Sequence, residues 1–516
     1  MEPHRILVEG VMPRLPAGQN PPPRLEISTF VEHIRQFSLY VQALQQIYDQ
    51  HKEDVTSYWQ IAGIHGQPYV EWNGTSSENG RGFCAHNTEI FPTWHRPYLA
   101  LFEQEIQRHA RNIAATYTHD RPAWEAIAAE LRQPYWGWDK VETMTLPAQV
   151  TTSPTVEIIK PDNLARVSVP NPFLTYAYPA GENSVFAYPF NVWPRTARYP
   201  DASGKSQPIL LNKSLKSIGS QVENNVKRLF SITNWNEFVL GSETTVGLEF
   251  IHGTMHFHSG GPNGNMSHLQ VSAFDPIFYL HHAQVDRMVD LWHSVHKDWT
   301  KDTKDLLPFL RTQTDYWQSP EIIKPGDVFN YTYDNDLSVS GESLAEDKQN
   351  TDIVSTEVQW SVRVECKMYE VGGSFSVYVF MSKEVPSDHP EWLFHPSFAG
   401  TFDVFANPEP EECANCTAHA GDIIKGFVHI NQKLETLNLD SLDPENVIPY
   451  LKEHISWGVL KSNGEVFDLQ RFTSLKVTVI CTPITLTVGA KYPKEGQPKI
   501  YPEVTRGRVG GYRDGA

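Results

Sequence analysis

The chain has 516 residues, 40% of them hydrophobic and 20% charged, which is ordinary globular composition and enough for more than one core. A formal net charge of -18 speaks against a nucleic-acid partner, because phosphate binding needs clustered Lys and Arg. No apolar run spans a bilayer and the N-terminal stretch lacks a signal-peptide core, so an intracellular protein with no membrane partner is expected; the odd count of 5 Cys makes no disulfide framework.

Residues 1–24 are Pro-rich and irregular. From Ile27 to Lys52 apolar residues recur at helical spacing, with Ser28 or Thr29 placed to cap the start. A second helix is predicted from near Arg96, with Tyr98, Leu99, Phe102 and Ile106 on one side and Glu103 and Glu105 facing elsewhere. A third covers roughly Pro122 to Arg132, and residues 140–215 read as long ordered loops. Helical patterns return at Ser220–Phe230 and Phe278–His296. After Tyr333 a polar, mostly acidic segment reads as an exposed linker. Beyond it "QWSVRVECKMYEV", "GSFSVYVFMSKE" and "TSLKVTVICTPITLTV" read as strands. The expected architecture is therefore an α-rich domain over 1–334, a linker over 335–358, a smaller β-rich domain over 359–500 and a tail over 501–516.

The histidines are clustered. His65, His86 and His95 form one group; "LEFIHGTMHFH" and "FDPIFYLHHAQVDRMVDLW" hold His252, His256, His258, His281 and His282. His252 and His256 stand four apart, which on a helix puts both imidazoles on one face for a shared metal. Asp286 lies four residues after His282 and is placed to accept a hydrogen bond from its distal ring nitrogen, the carboxylate partner that metal-binding histidines commonly have. His281 lacks that partner, so His282 is preferred as the ligand. All-imidazole sets suit several metals, with copper or zinc favoured here over carboxylate-rich di-iron sites.

"GIHGQPYVEW", "CAHNTEIFPTWHRPY", "QPYWGWD", "LEFIHGTMHFH" and "AFDPIFYLHHAQVDRMVDLW" together resemble the two copper-binding regions of type-3 copper proteins, most of all the fungal-type tyrosinases, over most of residues 24–334. The resemblance implies a four-helix bundle holding two copper ions, with His65, His86 and His95 on CuA and His252, His256 and His282 on CuB, and with O2 as co-substrate. It implies a thioether between Cys84 and His86, whose side chains point the same way in an extended segment. It makes Glu249 the residue that orients a water for phenol deprotonation, and places Leu269 over CuB. Gly253 departs from the Asn of many monophenol-hydroxylating relatives, and Phe257 is placed to stack on a substrate ring or to pack in the core.

Residues 360–495 resemble the β-sandwich-like C-terminal domain of latent fungal tyrosinases, which covers the copper site and must be removed or displaced for activity, an activating protease being one possible partner. Tyr331, Tyr333 and Arg24 match the motif that ends the catalytic domain. The resemblance gives Cys413 and Cys416 a copper-delivery role, soft thiolates being suited to Cu(I), and offers Phe402 or Phe405 as the plug. Cys366 and Cys481 read as core thiols. The implied function is oxidation of o-diphenols to o-quinones, with ortho-hydroxylation of monophenols in question at Gly253, in melanin or phenolic secondary metabolism. Alternatives are a catechol or o-aminophenol oxidase, a haemocyanin-like O2 carrier and a zinc hydrolase. A small phenol is the expected partner, and a homo-oligomer is compatible.

Overall fold

A computed structural model of the chain describes residues 5–13, 20–77, 82–162, 165–334, 353–412, 417, 421–437, 439–487 and 494–514. Strand β1 (Pro23–Arg24) is followed by an isolated helical turn, Ile27–Phe30, and then by helix α1 (Ile34–Asp49). The long helix expected over Ile27–Lys52 is thus broken at Val31–His33. The first turn is capped by Glu26, whose carboxylate accepts from the Ser28 N–H, so neither Ser28 nor Thr29 is the cap.

Helix α2 (Phe91–Ala114) starts before Arg96, with Pro92 in its first turn, where a missing N–H costs nothing. Glu103 and Glu105, off the apolar side, are both buried, and Glu103 accepts from Nε and Nη2 of Arg24 at 3.0 and 2.9 Å. Helix α3 (Pro208–Leu229) begins well before Ser220, and an antiparallel hairpin, Thr155–Ile159 with Arg166–Pro170, interrupts the loops before it. Helices α4 (Leu248–Gly260) and α5 (Ile277–Val295) form the centre. Every residue from Ile251 to Gly260 and from Ile277 to Val289 is buried, so these helices have no solvent face along those stretches. Helix α2 packs on α1 and α5, and α4 on α3 and α5.

Strand β2 (Thr332–Tyr333) pairs in parallel with β1 and closes this helical unit. The pairing brings Arg24 onto the Tyr331 ring, 3.5 Å from its centre, and its Nη1 to the Tyr333 hydroxyl at 2.8 Å and to Asp286 at 3.2 Å. Asp286 also accepts from Arg96 Nε, Tyr331 and Tyr333, each at 2.6 Å. Burial alone would raise the Asp286 carboxyl, but the Arg96 and Arg24 charges and the two phenol donors hold it below its usual range.

The second unit begins with β3 (Ile353–Lys367), followed by β4 (Phe375–Met381), β5 (Phe398–Val404), β6 (Ile423–His429), β7 (Ile455–Lys461), β8 (Val466–Phe467), β9 (Lys476–Thr487), β10 (Lys494–Glu495) and β11 (Lys499–Tyr501). One sheet runs β6-β3-β9-β10 with β11 also on β9, the other β8-β7-β4-β5, all antiparallel. Their inward faces enclose a second hydrophobic core containing Trp360, Val377, Val459 and Val479. Residues 353–358, expected in the linker, are strand, paired to β9 through Thr487. Residues 501–514, expected as a tail, are packed: Tyr501 and Val504 are buried and the Val477 N–H bonds the Gly510 carbonyl. The linker residues 335–352 lie outside the described residues.

Strand β5 faces α4. Phe402 stacks on Phe250 at 5.2 Å, lying flat over Gly426, where a Cβ would come within 2.2 Å of the ring. Other contacts between the two units are both apolar and polar: Phe380, Trp392 and Phe427 of the second unit belong to the same buried apolar cluster as the helical core. Gln221 donates to the Thr401 carbonyl, Asn407 to the Tyr69 hydroxyl, Gln270 to Glu409, and His268 Nε2 to the Ser462 carbonyl.

Candidate metal centre

His65 follows a short helix, Tyr58–Gly63, whose start is capped by the Ser57 hydroxyl. His86 lies on the extended segment leading to α2, and His95 one turn into that helix. The three rings form a nearly equilateral triangle, with centroids 5.3, 5.5 and 5.4 Å apart. His252 and His256 project from α4 and His282 from α5, with centroids 4.5, 4.9 and 5.4 Å apart. The two triangles abut: His95 stacks on His282 at 4.3 Å.

All six imidazoles are buried, and burial pushes each below the usual histidine range, with repulsion from neighbouring imidazoles adding to it for all but His95; His95 and His256 fall to about 3. They are therefore neutral near pH 7, with lone pairs available. Main-chain carbonyls fix the tautomers: Nδ1 of His95 donates to Phe91 at 2.8 Å, that of His256 to Met266 at 2.8 Å and that of His252 to Glu249 at 3.3 Å. His65, His95 and His252 each keep a buried ring nitrogen without a hydrogen-bond partner. His256 Nε2 and His282 Nε2 converge to 3.2 Å. Two nitrogens each about 2 Å from one ion lie about 3 Å apart, so the pair fits shared coordination. Buried, unpartnered lone pairs in two groups of three are what two ions would satisfy.

A fourth histidine, His281, also lies within reach of the second group. Trp138 Nε1 donates to its Nδ1 at 3.0 Å. Indole nitrogen is only a donor, so neutral His281 carries its proton on Nε2, the nitrogen that faces the group. A metal needs a lone pair there, which argues for His282 over His281 as the ligand. The reason that spacing gave for preferring His282 is overturned. Asp286 does not accept from His282; its oxygens are taken by Arg24, Arg96 and the two tyrosines, and His282 Nδ1 has no hydrogen-bond partner. Two guanidinium groups and two phenols outcompete one neutral imidazole for a buried carboxylate.

Cys84 Sγ lies 2.8 Å from His86 Nδ1 and 3.8 Å from Nε2, closer to the ring edge than an ordinary sulfur contact. Glu249 is in the first turn of α4. Its Oε1 accepts from the Asn87 N–H at 2.6 Å, its buried Oε2 has no partner, and burial pushes its carboxyl up to about 8. Together with His86, His252 and Gly253 it lines the inner end of an open cleft of about 840 Å³ between the two units. Phe405, one residue past the end of β5, enters the same place. Its ring lies parallel on His256 at 4.1 Å and edge-on to His252 and His86 at 5.7 and 5.9 Å.

Not every expected residue joins this group. Leu269 is buried, its carbonyl accepting from the Ser272 hydroxyl, and is absent from the cleft lining. Phe257 is buried with its ring against His258 and does not line the cleft either. Cys413 and Cys416 lie outside the described residues. Two contributors were not anticipated. Phe278 packs on His282 at 4.1 Å and His65 at 4.8 Å, and its position four residues before His282 was the available signal. Trp138 stands in the quoted "QPYWGWD", but nothing local marks it as the partner of His281.

The common central domain of tyrosinase matches residues 55–295, and the tyrosinase C-terminal domain matches residues 359–479. Polyphenol oxidase 4 of Agaricus bisporus is 29% identical, covering 91% of this chain and 86% of its own length. A solved structure of recombinant mushroom tyrosinase superposes with a TM-score of 0.82 at 25% identity, over 96% of this chain and 98% of its own. Another, of latent and active mushroom tyrosinase, gives 0.81 at 26% identity over 97% and 99%. The two histidine groups fit the CuA and CuB positions of the binuclear copper centre of these proteins. The chain therefore belongs to the tyrosinase family of copper oxidoreductases and carries both the central and the C-terminal domain of that family in one polypeptide.

Proposed function

We propose that this protein is a latent phenol oxidase that converts o-diphenols to o-quinones with O2 and is held inactive by its own C-terminal domain. The observation that carries this reading is Phe405, an aromatic ring from the second unit lying flat on His256. A phenol approaching the second histidine group would need that space.

Copper, when bound, supplies the redox chemistry with O2; the protein supplies shape and proton handling. The six neutral imidazoles hold the ions without adding charge, and Phe91 and Phe278 pack against their rings and keep the centre dry. Glu249 Oε2 is free to take a hydrogen bond from a water or from the phenol hydroxyl, while Oε1 stays fixed by the Asn87 N–H. Gly253, beside it, offers no side chain to steady such a water, so diphenol oxidation is expected to exceed monophenol hydroxylation. We assign a thioether to Cys84 and His86 in the mature protein. The sulfur bonds the ring carbon between the two nitrogens, the thiol and ring hydrogens leave as protons, and the electron pair passes to O2. A rigidly oriented His86 follows.

The test is oxygen uptake by copper-loaded protein, before and after limited proteolysis, with 4-methylcatechol and with p-cresol. A large rise after cleavage with the catechol, and a small one with p-cresol, is expected. No uptake in either state with copper shown to be bound would overturn the reading.

A further inference from the structure

We propose that the activated enzyme selects phenols whose ring substituent carries a positive charge, such as an arylalkylamine, over those carrying a carboxylate. This rests on the phenol-oxidase reading above and adds the charge class of its substrate.

The position of Phe405 is the starting point. Its ring occupies the place of a substrate ring, parallel to His256. Its Cβ therefore marks where a substituent on that ring would leave the pocket. That carbon passes Gly253, lying 3.2 Å from where a Cβ at 253 would be. Beyond Gly253 is the open cleft, so a substituent following this line enters it.

The cleft is acidic. On the catalytic wall it is lined by Glu89, Glu237, Glu243 and Asp302, against a single cation, Lys304, which itself lies 3.9 Å from Asp302. In the closed form Lys425 of the second unit meets Glu243 at 2.7 Å and offsets part of this charge. When the second unit leaves, Lys425 leaves with it, as do Asp403 and Asp422 of the same lining, and the catalytic wall keeps its four carboxylates against Lys304 alone. A face of one sign at the mouth of the site concentrates ligands of the opposite sign and repels those of the same sign.

The discriminating experiment uses cleaved, copper-loaded enzyme and three o-diphenols of similar size: dopamine, 3,4-dihydroxyphenylpropionate and 4-methylcatechol. At low ionic strength kcat/KM for the amine should exceed that for the carboxylate by about tenfold or more, mostly through KM. Raising the salt to about 0.5 M should shrink the ratio, because the carboxylates act through solvent. The Glu89→Gln/Glu237→Gln variant should shrink it at low salt as well, and Glu237→Lys should shrink it further. A ratio near one, a preference for the carboxylate, or a ratio unmoved by both salt and substitution would overturn the proposal. Failure of the phenol-oxidase reading would look different: 4-methylcatechol would give no uptake.

Discussion

A Gly253→Ala substitution should loosen the closed form. The new Cβ would lie 3.2 Å from Phe405 Cβ, while its other neighbours, the Phe405 amide nitrogen and the Asp403 carbonyl, are at 3.7 and 3.9 Å and leave room. Carbon atoms pack best at about 3.5–4.0 Å, so the end of β5 must back away by a few tenths of an ångström. Overpacking of this kind costs about 1–3 kcal/mol, and it falls only on the docked state. The helix gains about 1 kcal/mol from Ala over Gly, but it does so docked and undocked alike, so that term cancels. Docking should weaken by about 5- to 150-fold. Two assays read this: the ratio of uncleaved to cleaved oxygen uptake with 4-methylcatechol, which should rise, and hydrogen exchange across Phe398–Val404, which should quicken. The contact is with a Cβ, so the exchange effect should persist in a Phe405→Ala background and vanish in Phe405→Gly. An unchanged uptake ratio, or an exchange effect that survives Phe405→Gly, would refute the reasoning.

Other substitutions probe the centre and its support. Asp286→Asn should lower the unfolding free energy of the helical unit by about 3–5 kcal/mol in urea titrations, since it leaves Arg24 and Arg96 buried without their shared anion. The Asp286 carboxyl is depressed in the fold, so its contribution is present above the ordinary carboxylate value and is lost as pH falls through the depressed one; the variant should lose that acid-sensitive step, below about pH 4. His282→Gln should cut copper content from two ions per chain to one, whereas His281→Gln should keep two, as read by elemental analysis. After copper loading with O2 and denaturation, Cys84 should resist alkylation while Cys366 and Cys481 react; a fully alkylated Cys84 would rule out the thioether.

Much of the site was visible as spacing. The i, i+4 pair His252 and His256 and the Cys84–His86 interval lie on one helix and one extended segment, and such local relations survive folding. What spacing could not supply was competition at long range. Asp286 stands at the right interval from His282, yet Arg24, from the start of the chain, and Tyr331 and Tyr333, from the end of the helical unit, hold its oxygens. The faces of α4 and α5 were equally hidden, because helices buried on all sides carry no periodic signal. The burial of Glu103 was hidden too, because its partner Arg24 lies 79 residues away in the chain. The choice between Phe402 and Phe405 depended on strand ends. Phe402 sits inside β5, pinned over Gly426, whereas Phe405 lies just past the last paired residue, where the backbone can turn a ring inward. Residues 353–358 read as linker because they directly follow a long polar, acidic stretch, although Ile353, Val354, Thr356 and Val358 are strand-forming residues and the segment pairs with β9.

The clasp of Pro23–Arg24 with Thr332–Tyr333 bears on what a cut in the chain would do. It ties the two ends of the helical unit to each other before the polypeptide goes on to the second unit, so cleavage beyond Asp334 removes a tether without opening a seam. The inhibitor then changes from an attached part to a free ligand. While tethered, it faces its site at an effective concentration of about millimolar. Once free, it obeys mass action, and the contacts that remain, a shared apolar cluster with Phe402 and Phe405 and a set of hydrogen bonds and ion pairs, must hold it unaided. A nicked sample kept concentrated should therefore stay quiet and wake on dilution, so that activity after cleavage reports how crowded the protein is as well as how much has been cut.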